Sequence, residues 1–122
     1  MEKFTISESL AGQFRFALLS KTGKVILTSD GHHSRDSCLV EISKVRKFSQ
    51  EHHRFDKQLL AKGKCYFNLE ATNGYIIAVS PLFDCFLDMD AGIDCVKRYG
   101  QAVDIEDVTL NSANMPLVLQ LA

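Results

Sequence analysis

The sequence lacks the features that mark several large classes of protein. No apolar run approaches the roughly 18 residues needed to cross a bilayer, and the first residues carry no apolar signal-peptide core. The formal net charge of -1 provides no general attraction for nucleic acid or an anionic membrane. A Gly-rich phosphate loop, a Ser-His-Asp order and a dinucleotide-binding fingerprint are all missing. We therefore expect a cytoplasmic protein without a membrane segment, and the sequence leans away from an enzyme.

Paired cysteine motifs are missing as well. Cys38, Cys65, Cys85 and Cys95 form no Cys-x-x-Cys pair, which favours reduced thiols over a disulfide framework or a zinc site. A nucleophilic cysteine needs a lowered pKa and a nearby base. Cys85 precedes the second predicted helix, where the helix dipole would favour a thiolate. An enzyme with its site near the start of that helix is therefore the alternative reading.

What the sequence does contain is an internal repeat with a period of about 51 residues. The first half returns in the second, residue by residue, in the order Gly12, Phe16, Leu18, Gly23, Ile26, Ser29, Ile42 and Val45 against Gly63, Phe67, Leu69, Gly74, Ile77, Ser80, Ile93 and Val96. Phe4 likewise returns as Phe55. The two halves must therefore share one local architecture.

The second repeat shows this architecture most clearly. Cys65, Phe67 and Leu69 alternate with polar residues, which predicts a half-buried strand over 64–70. Asn73-Gly74 predicts a tight turn and 75–79 the returning strand. A helix follows, with a predicted apolar stripe of Phe86, Met89, Ile93 and Val96, an N-cap at Asp84 and a stop at Gly100.

The first repeat follows the same order. Phe14, Phe16 and Leu18 alternate, a turn at 21–24 follows, and 25–28 is the returning strand. Ser34 can cap a helix over about 35–48 whose stripe is Cys38, Ile42, Val45 and Phe48. Short strands around Phe4 and Phe55 precede the two hairpins.

These units predict an α+β fold made by tandem duplication of a β-β-β-α unit, with one mostly antiparallel sheet and two helices on one face. No Pro/Gly/Ser-rich linker separates the halves. We therefore expect residues 1–110 to form a single intertwined domain, with repeat 1 at about 3–52 and repeat 2 at about 53–109. Residues 111–122 would form a C-terminal tail, apolar at Pro116–Leu121, that could cover a sheet edge.

The ordered series of motifs resembles the YegP-like family, a group of bacterial proteins of uncharacterised function. The stretches that carry the resemblance are 12–16, 23–29, 63–69, 92–97 and 105–109. The resemblance implies a duplicated β-β-β-α unit with terminal strands exchanged between the halves, and no known activity or catalytic residue. Phe83 and Gly92 fit the family pattern, whereas the first repeat has His32 and Glu41 at the equivalent positions.

Charged and metal-binding residue types are present, but their spacing favours ordinary surface roles. The doublets His32-His33 and His52-His53 flank the first helix, about 20 Å apart, and would not meet in one metal site. Several aspartates surround the second helix without the spacing of a calcium loop, namely Asp84, Asp88, Asp90 and Asp94. We expect no catalytic, cofactor-binding or metal-binding residues and no cofactor.

A basic cluster raises nucleic-acid binding as a weaker alternative. Lys44, Arg46, Lys47 and Arg54, together with Tyr66 and Tyr75, could present a charged surface with aromatic rings. The acidic second helix interrupts any phosphate track, so we do not expect nucleic acid as a partner. We expect a monomer or weak homodimer that binds a macromolecule or small ligand through the helix-free face of its sheet. The residues predicted to point outward there are Arg15, Ala17, Leu19, Tyr66, Asn68 and Glu70.

Overall fold

A computed structural model describes residues 1–108, in which each predicted unit forms three strands and a helix. In repeat 1 the elements are β1 (Lys3–Glu8), β2 (Phe14–Leu19), β3 (Val25–Thr28) and α1 (Arg35–Phe48). In repeat 2 they are β4 (Phe55–Leu59), β5 (Cys65–Glu70), β6 (Ile76–Val79) and α2 (Phe86–Tyr99), followed by β7 (Ile105–Val108). Short 3-10 turns at His52–Arg54 and Ala61–Gly63 flank β4. The predicted tail at 111–122 lies outside the described residues.

All the strands join one seven-stranded sheet in the order β4-β5-β6-β3-β2-β1-β7. Neighbouring strands are antiparallel except β1 and β7, which are parallel. The repeats meet where Thr28 of β3 pairs with Val79 of β6, two residues one repeat period apart. The α+β fold class predicted from the duplication is confirmed, and the approximate twofold axis that relates the repeats passes through this pairing.

Both helices pack on one face of the sheet and bury the apolar stripes. Phe16, Leu18, Phe67 and Leu69 have no exposed surface, so the predicted inward face of both hairpins is correct. Each helix contacts a strand of its own repeat and a strand of the other repeat: α1 contacts β2 and β6, and α2 contacts β5 and β3. This crossed packing places the β2–β3 turn beside α2.

Two aromatic stacks show how closely the repeats correspond. Phe16 packs edge-on against Phe4 and stacks on His32, with ring centroids 6.2 and 6.4 Å away. Phe67 contacts Phe55 and Phe83 in the same way, at 5.5 and 6.1 Å. The His32 ring therefore occupies the place of the Phe83 ring.

The helix boundaries confirm some of the predicted caps and correct one. The Ser37 amide donates to Ser34 Oγ at 3.1 Å, as predicted for an N-cap, and Gly100 ends α2. The prediction that Asp84 caps α2 is wrong. Cys85, the repeat equivalent of Ser34, holds the N-cap position without a side-chain hydrogen bond, and the Asp84 carboxylate accepts from Lys64 instead.

The predicted stripe of α2 also needs one correction. Met89, Ile93 and Val96 are buried, but Phe86 is 50% exposed. Phe86 lies in the first turn of α2, where its ring neighbours the Lys57 ammonium of edge strand β4 at 5.9 Å. Among residues 1–108, no helix has the length and apolarity to cross a membrane.

Candidate functional site

The helix-free face is more closed than expected. One row of residues crosses it in register, Asp56–Asn68–Val79–Thr28–Ala17–Thr5–Glu106. Ala17 and Asn68, predicted to point outward on this face, are 0% and 7% exposed. Each is a short side chain between registered neighbours on two adjacent strands, so little of its surface remains accessible. Arg15, Leu19, Tyr66 and Glu70 are partly exposed, as expected for outward residues.

The predicted basic cluster does not form a continuous surface with the tyrosines. Arg46 Nε donates to the Ala102 carbonyl at 3.0 Å, and Arg54 pairs with Glu51 at 3.2 Å. Lys44 lies over the Tyr75 ring. These cations are engaged within the chain, and Tyr75 belongs to the helix-covered side rather than to the face that carries Tyr66.

The four cysteines are free thiols and form no disulfide. Burial raises the pKa of the Cys38 thiol to about 11, and it also raises the pKa of the Cys65 thiol. Both thiols belong to the core. Cys85 is exposed and Cys95 is partly exposed.

The histidines are likewise dispersed. His32 stacks on Phe16, His52 Nδ1 lies 2.7 Å from Lys97 Nζ, and His53 lies 3.5 Å from Glu51. Within residues 1–108, no three side chains of the His, Cys, Asp and Glu types group together as metal ligands would.

The candidate site is a cleft beside α2, which we call the α2 groove. Its volume is about 600 Å³. One wall is α2, a second is the β2–β3 turn with the start of β3, and the loop before α2 closes one end. The lining residues are Ser20, Lys21, Thr22, Lys24, Val25, Ile26, Pro81, Leu82, Phe83, Asp84, Asp88, Ala91, Gly92, Cys95 and Tyr99.

Small residues on α2 leave room for this cleft. Asp88, Ala91, Gly92, Cys95 and Tyr99 recur at helical spacing and so share one face of α2. At Gly92 the helix lies so close to Phe83 that a Cβ atom would come within 2.5 Å of the ring. The groove therefore depends on a glycine at a point of close approach.

The opposite wall is a preformed turn. The Lys24 amide and Thr22 Oγ1 lie 3.2 and 3.1 Å from Ser20 Oγ, and Gly23 takes a positive φ of 87°. These bonds hold the turn without help from a ligand. They also leave the Lys21 and Lys24 side chains exposed at the rim.

Charge is unevenly placed along the groove. Lys21 and Lys24 come from the turn, whereas Asp84 and Asp88 lie at the start of α2. The hydrogen bond from Lys64 holds the pKa of the Asp84 carboxyl below its usual range, so Asp84 is already paired. Cys95 is the thiol of the groove, and no histidine stands among the lining residues to act as its base. The arrangement suits recognition of a ligand better than covalent chemistry.

The first repeat carries larger side chains at several positions equivalent to those that line the groove. Positions Lys24, Gly92 and Cys95 correspond to Tyr75, Glu41 and Lys44. Lys44 Nζ donates to the Tyr75 hydroxyl at 3.3 Å, lies 4.9 Å from the centre of its ring, and lies 3.3 Å from Glu41 Oε2. Beside α1, two side chains of the protein thus contact each other at positions whose equivalents, Lys24 and Cys95, line the groove beside α2.

The apolar pattern of each helix by itself does not reveal the groove. The alignment of the repeats does carry a signal, because Val40, Glu41 and Lys44 of α1 are equivalent to the smaller Ala91, Gly92 and Cys95 of α2. This loss of side-chain volume on α2 distinguishes the second repeat from the first at the positions that line the groove.

The fold and groove define a small duplicated α+β protein with a cleft beside its second helix. Two copies of the family described as a domain of unknown function, DUF1508, match residues 9–56 and 61–107. The chain belongs to this family, and the resemblance stated from the sequence motifs is confirmed.

Its relatives are proteins without an assigned function. UPF0339 protein YegP of Escherichia coli K12 is 37% identical over 106 residues, which cover 87% of this chain and 96% of that protein. A UPF0339 protein of Pseudomonas aeruginosa is 36% identical over 105 residues, 86% of this chain and 96% of that protein. The solution NMR structure of the Escherichia coli yegP protein superposes with a TM-score of 0.83 at 35% identity, covering 91% of this chain and 96% of that chain.

Proposed function

We propose that this protein binds a small organic ligand in the α2 groove and is not an enzyme. One observation carries the proposal: a cleft lies beside α2, lined by Lys24 and Cys95, whereas their equivalents in the first repeat, Tyr75 and Lys44, contact each other. A volume of about 600 Å³ falls within the range of about 300–1,000 Å³ that small-molecule sites occupy. Apolar walls with a few charged groups at the rim are also typical of such sites.

The test is a fragment screen followed by two-dimensional NMR of the full chain labelled with nitrogen-15. We expect hits to shift the amide signals of Lys24, Cys95 and Tyr99. A closure variant, Lys24→Tyr with Cys95→Lys, places the Tyr75 and Lys44 side chains of the first repeat at the equivalent positions of the groove and should abolish these shifts.

The matched control carries the same kinds of exchange at exposed positions of α1, Ser43→Lys with Lys47→Tyr, and keeps the net charge unchanged. This control should bind as the unaltered chain does. Hits that shift Arg15, Tyr66 and Glu70 instead would contradict the proposal and favour the helix-free face. A screen without any hit would contradict both.

The alternative of an enzyme centred on Cys85 has less support. Cys85 is exposed, its side chain makes no capping hydrogen bond, and it does not line the groove. A nucleophile needs a base and an orienting group within hydrogen-bond reach.

For partners, we propose a monomer or weak homodimer in the cytoplasm, with no role for nucleic acid. Four unpaired thiols support a reducing compartment. The engagement of Arg46 and Arg54 within the chain supports the absence of a phosphate-binding track.

A further inference from the structure

We propose that the ligand of the α2 groove is a planar aromatic carboxylate, an inference that rests on the proposed binding function. The repeats supply the argument, because at the equivalent position beside α1 an aromatic ring of the protein itself, that of Tyr75, lies against Lys44. That ring shows which chemistry fits the space.

The aromatic ring beside α1 is the phenol of Tyr75. Tyr75 follows Gly74 in the β5–β6 turn, and its ring lies beside α1 under the Lys44 ammonium at 4.9 Å. The hydroxyl accepts from the same ammonium at 3.3 Å. The cleft of the first repeat thus pairs a flat ring and its oxygen with a lysine.

The second repeat keeps the space and a lysine but lacks the ring. Lys24 stands in place of Tyr75 and Cys95 in place of Lys44, so the cation has moved from the helix to the turn. Both residues line the open groove, together with the rings of Phe83 and Tyr99. The sulfur of Cys95, which lines the groove, is a favourable neighbour for the face or edge of a ligand ring bound there.

The charges at this end of the groove select an anionic substituent. Lys24 and Lys21 both rise from the β2–β3 turn, beside the position that the ring would take. Asp88 precedes Cys95 by seven residues, which is about 10 Å along the helix. Asp84 is already paired with Lys64. A carboxylate on a small ring would therefore meet the two lysines rather than the aspartates.

Four probes of similar size separate the contributions of ring and charge. Phenylacetate has both, cyclohexylacetate has the charge without the aromatic ring, 2-phenylethanol has the ring without charge, and phenethylamine carries the opposite charge. Each is titrated into the full chain while the amide signals of the groove are followed by NMR.

We expect phenylacetate to bind at least about fivefold more tightly than 2-phenylethanol and phenethylamine, since about fivefold corresponds to one exposed ion pair. It should bind at least about twofold more tightly than cyclohexylacetate, which has the same charge but no aromatic ring to contact the aromatic and sulfur-containing residues of the groove. Lys24→Ala should weaken phenylacetate by about the same factor and should leave 2-phenylethanol unchanged. The control Lys47→Ala, on the exposed side of α1, should change neither.

Tighter binding of phenethylamine would overturn the carboxylate, and equal binding of cyclohexylacetate would overturn the aromatic ring. In both cases the groove would still be a binding site. If none of the four probes shifts the groove signals, the ligand class is wrong. The fragment screen with the closure variant then decides separately whether the groove binds ligands at all.

Discussion

Replacing Phe67 by alanine should cost a large part of the stability of this protein, because Phe67 packs between the sheet and the helix of the second repeat. Its side chain has no exposed surface. Its ring packs edge-on against Phe55 at 5.5 Å and stacks on Phe83 at 6.1 Å. Truncation would leave a cavity between β5 and α2 and would remove both aromatic contacts.

We expect a loss of about 3–5 kcal/mol in the free energy of unfolding, the usual cost of a buried Phe→Ala change. About 1 kcal/mol of that loss would come from the aromatic pairs. Phe16→Ala should cost a similar amount, because Phe16 is equally buried and contacts Phe4 and His32 at 6.2 and 6.4 Å. A domain of this size has only about 5–15 kcal/mol in total.

Urea denaturation followed by circular dichroism measures the loss. With a slope of about 2 kcal/mol per molar urea, the midpoint should fall by about 2 M. Phe86→Ala is the control, since Phe86 is 50% exposed and should cost about 1 kcal/mol or less. If the alanine variants do not fold, Phe67→Leu removes less volume and should cost about 1–2 kcal/mol.

A loss below about 1 kcal/mol at both Phe16 and Phe67 would refute the reasoning. The two residues are central to the inward set of their strands, and a register shift of one residue would turn every such side chain to the other face. Unequal losses, large at one position and negligible at the other, would show that the repeats do not share one core.

Four further predictions follow from the fold. Gly92→Ala should destabilise the chain by about 1–3 kcal/mol, because the new Cβ would overlap the Phe83 ring. In a Phe83→Ala background the same change should stabilise the chain by about 1 kcal/mol. If thermal melting shows that Gly92→Ala destabilises both backgrounds, the close approach of Phe83 to Gly92 is contradicted. Residues 1–60 expressed alone should show no cooperative melting, since α1 contacts β6 and β3 pairs with β6. The free energy of unfolding should fall as the pH rises from about 9 to about 11, because the Cys38 thiol has a pKa near 9.0 in the unfolded chain and a pKa of about 11 in the folded chain. Urea titrations at each pH measure this fall, and Cys38→Ala should reduce it. Light scattering at several concentrations should give the monomer mass or a weak dimer, and a tight dimer that disappears on deletion of 111–122 would contradict this and assign the tail a role in assembly.

Periodicity in the sequence determined the local elements. Alternation at Phe14, Phe16 and Leu18 allows only one set of side chains to face the core, because successive residues of a strand point to opposite faces. The bounds of α1 follow from Ser34 at one end and the apolar stripe ending at Phe48, as the structure confirms. The period of about 51 residues then carries each local prediction from one half to the other.

Local patterns were less reliable where a side chain has two partners available. Asp84 has a side chain that suits an N-cap, but its carboxylate accepts a hydrogen bond from Lys64 of the preceding hairpin, and Cys85 holds the N-cap position. Phe86 fits the helical stripe, yet the stripe is buried only where strands lie beneath it. Both outcomes depend on neighbours that are distant in sequence.

The sequence by itself determined the repeat, the hairpins, the helices and the face that each strand buries, since these depend on the spacing of residues along one segment. Only the tertiary structure decided the α2 groove. The pairing of β3 with β6 brings the turn at 20–24 beside α2, so residues about 70 positions apart, Lys24 and Cys95, line one cleft. Such a site depends on which segments become neighbours and on the volume they leave unfilled, and neither property is contained in the periodicity of a single segment.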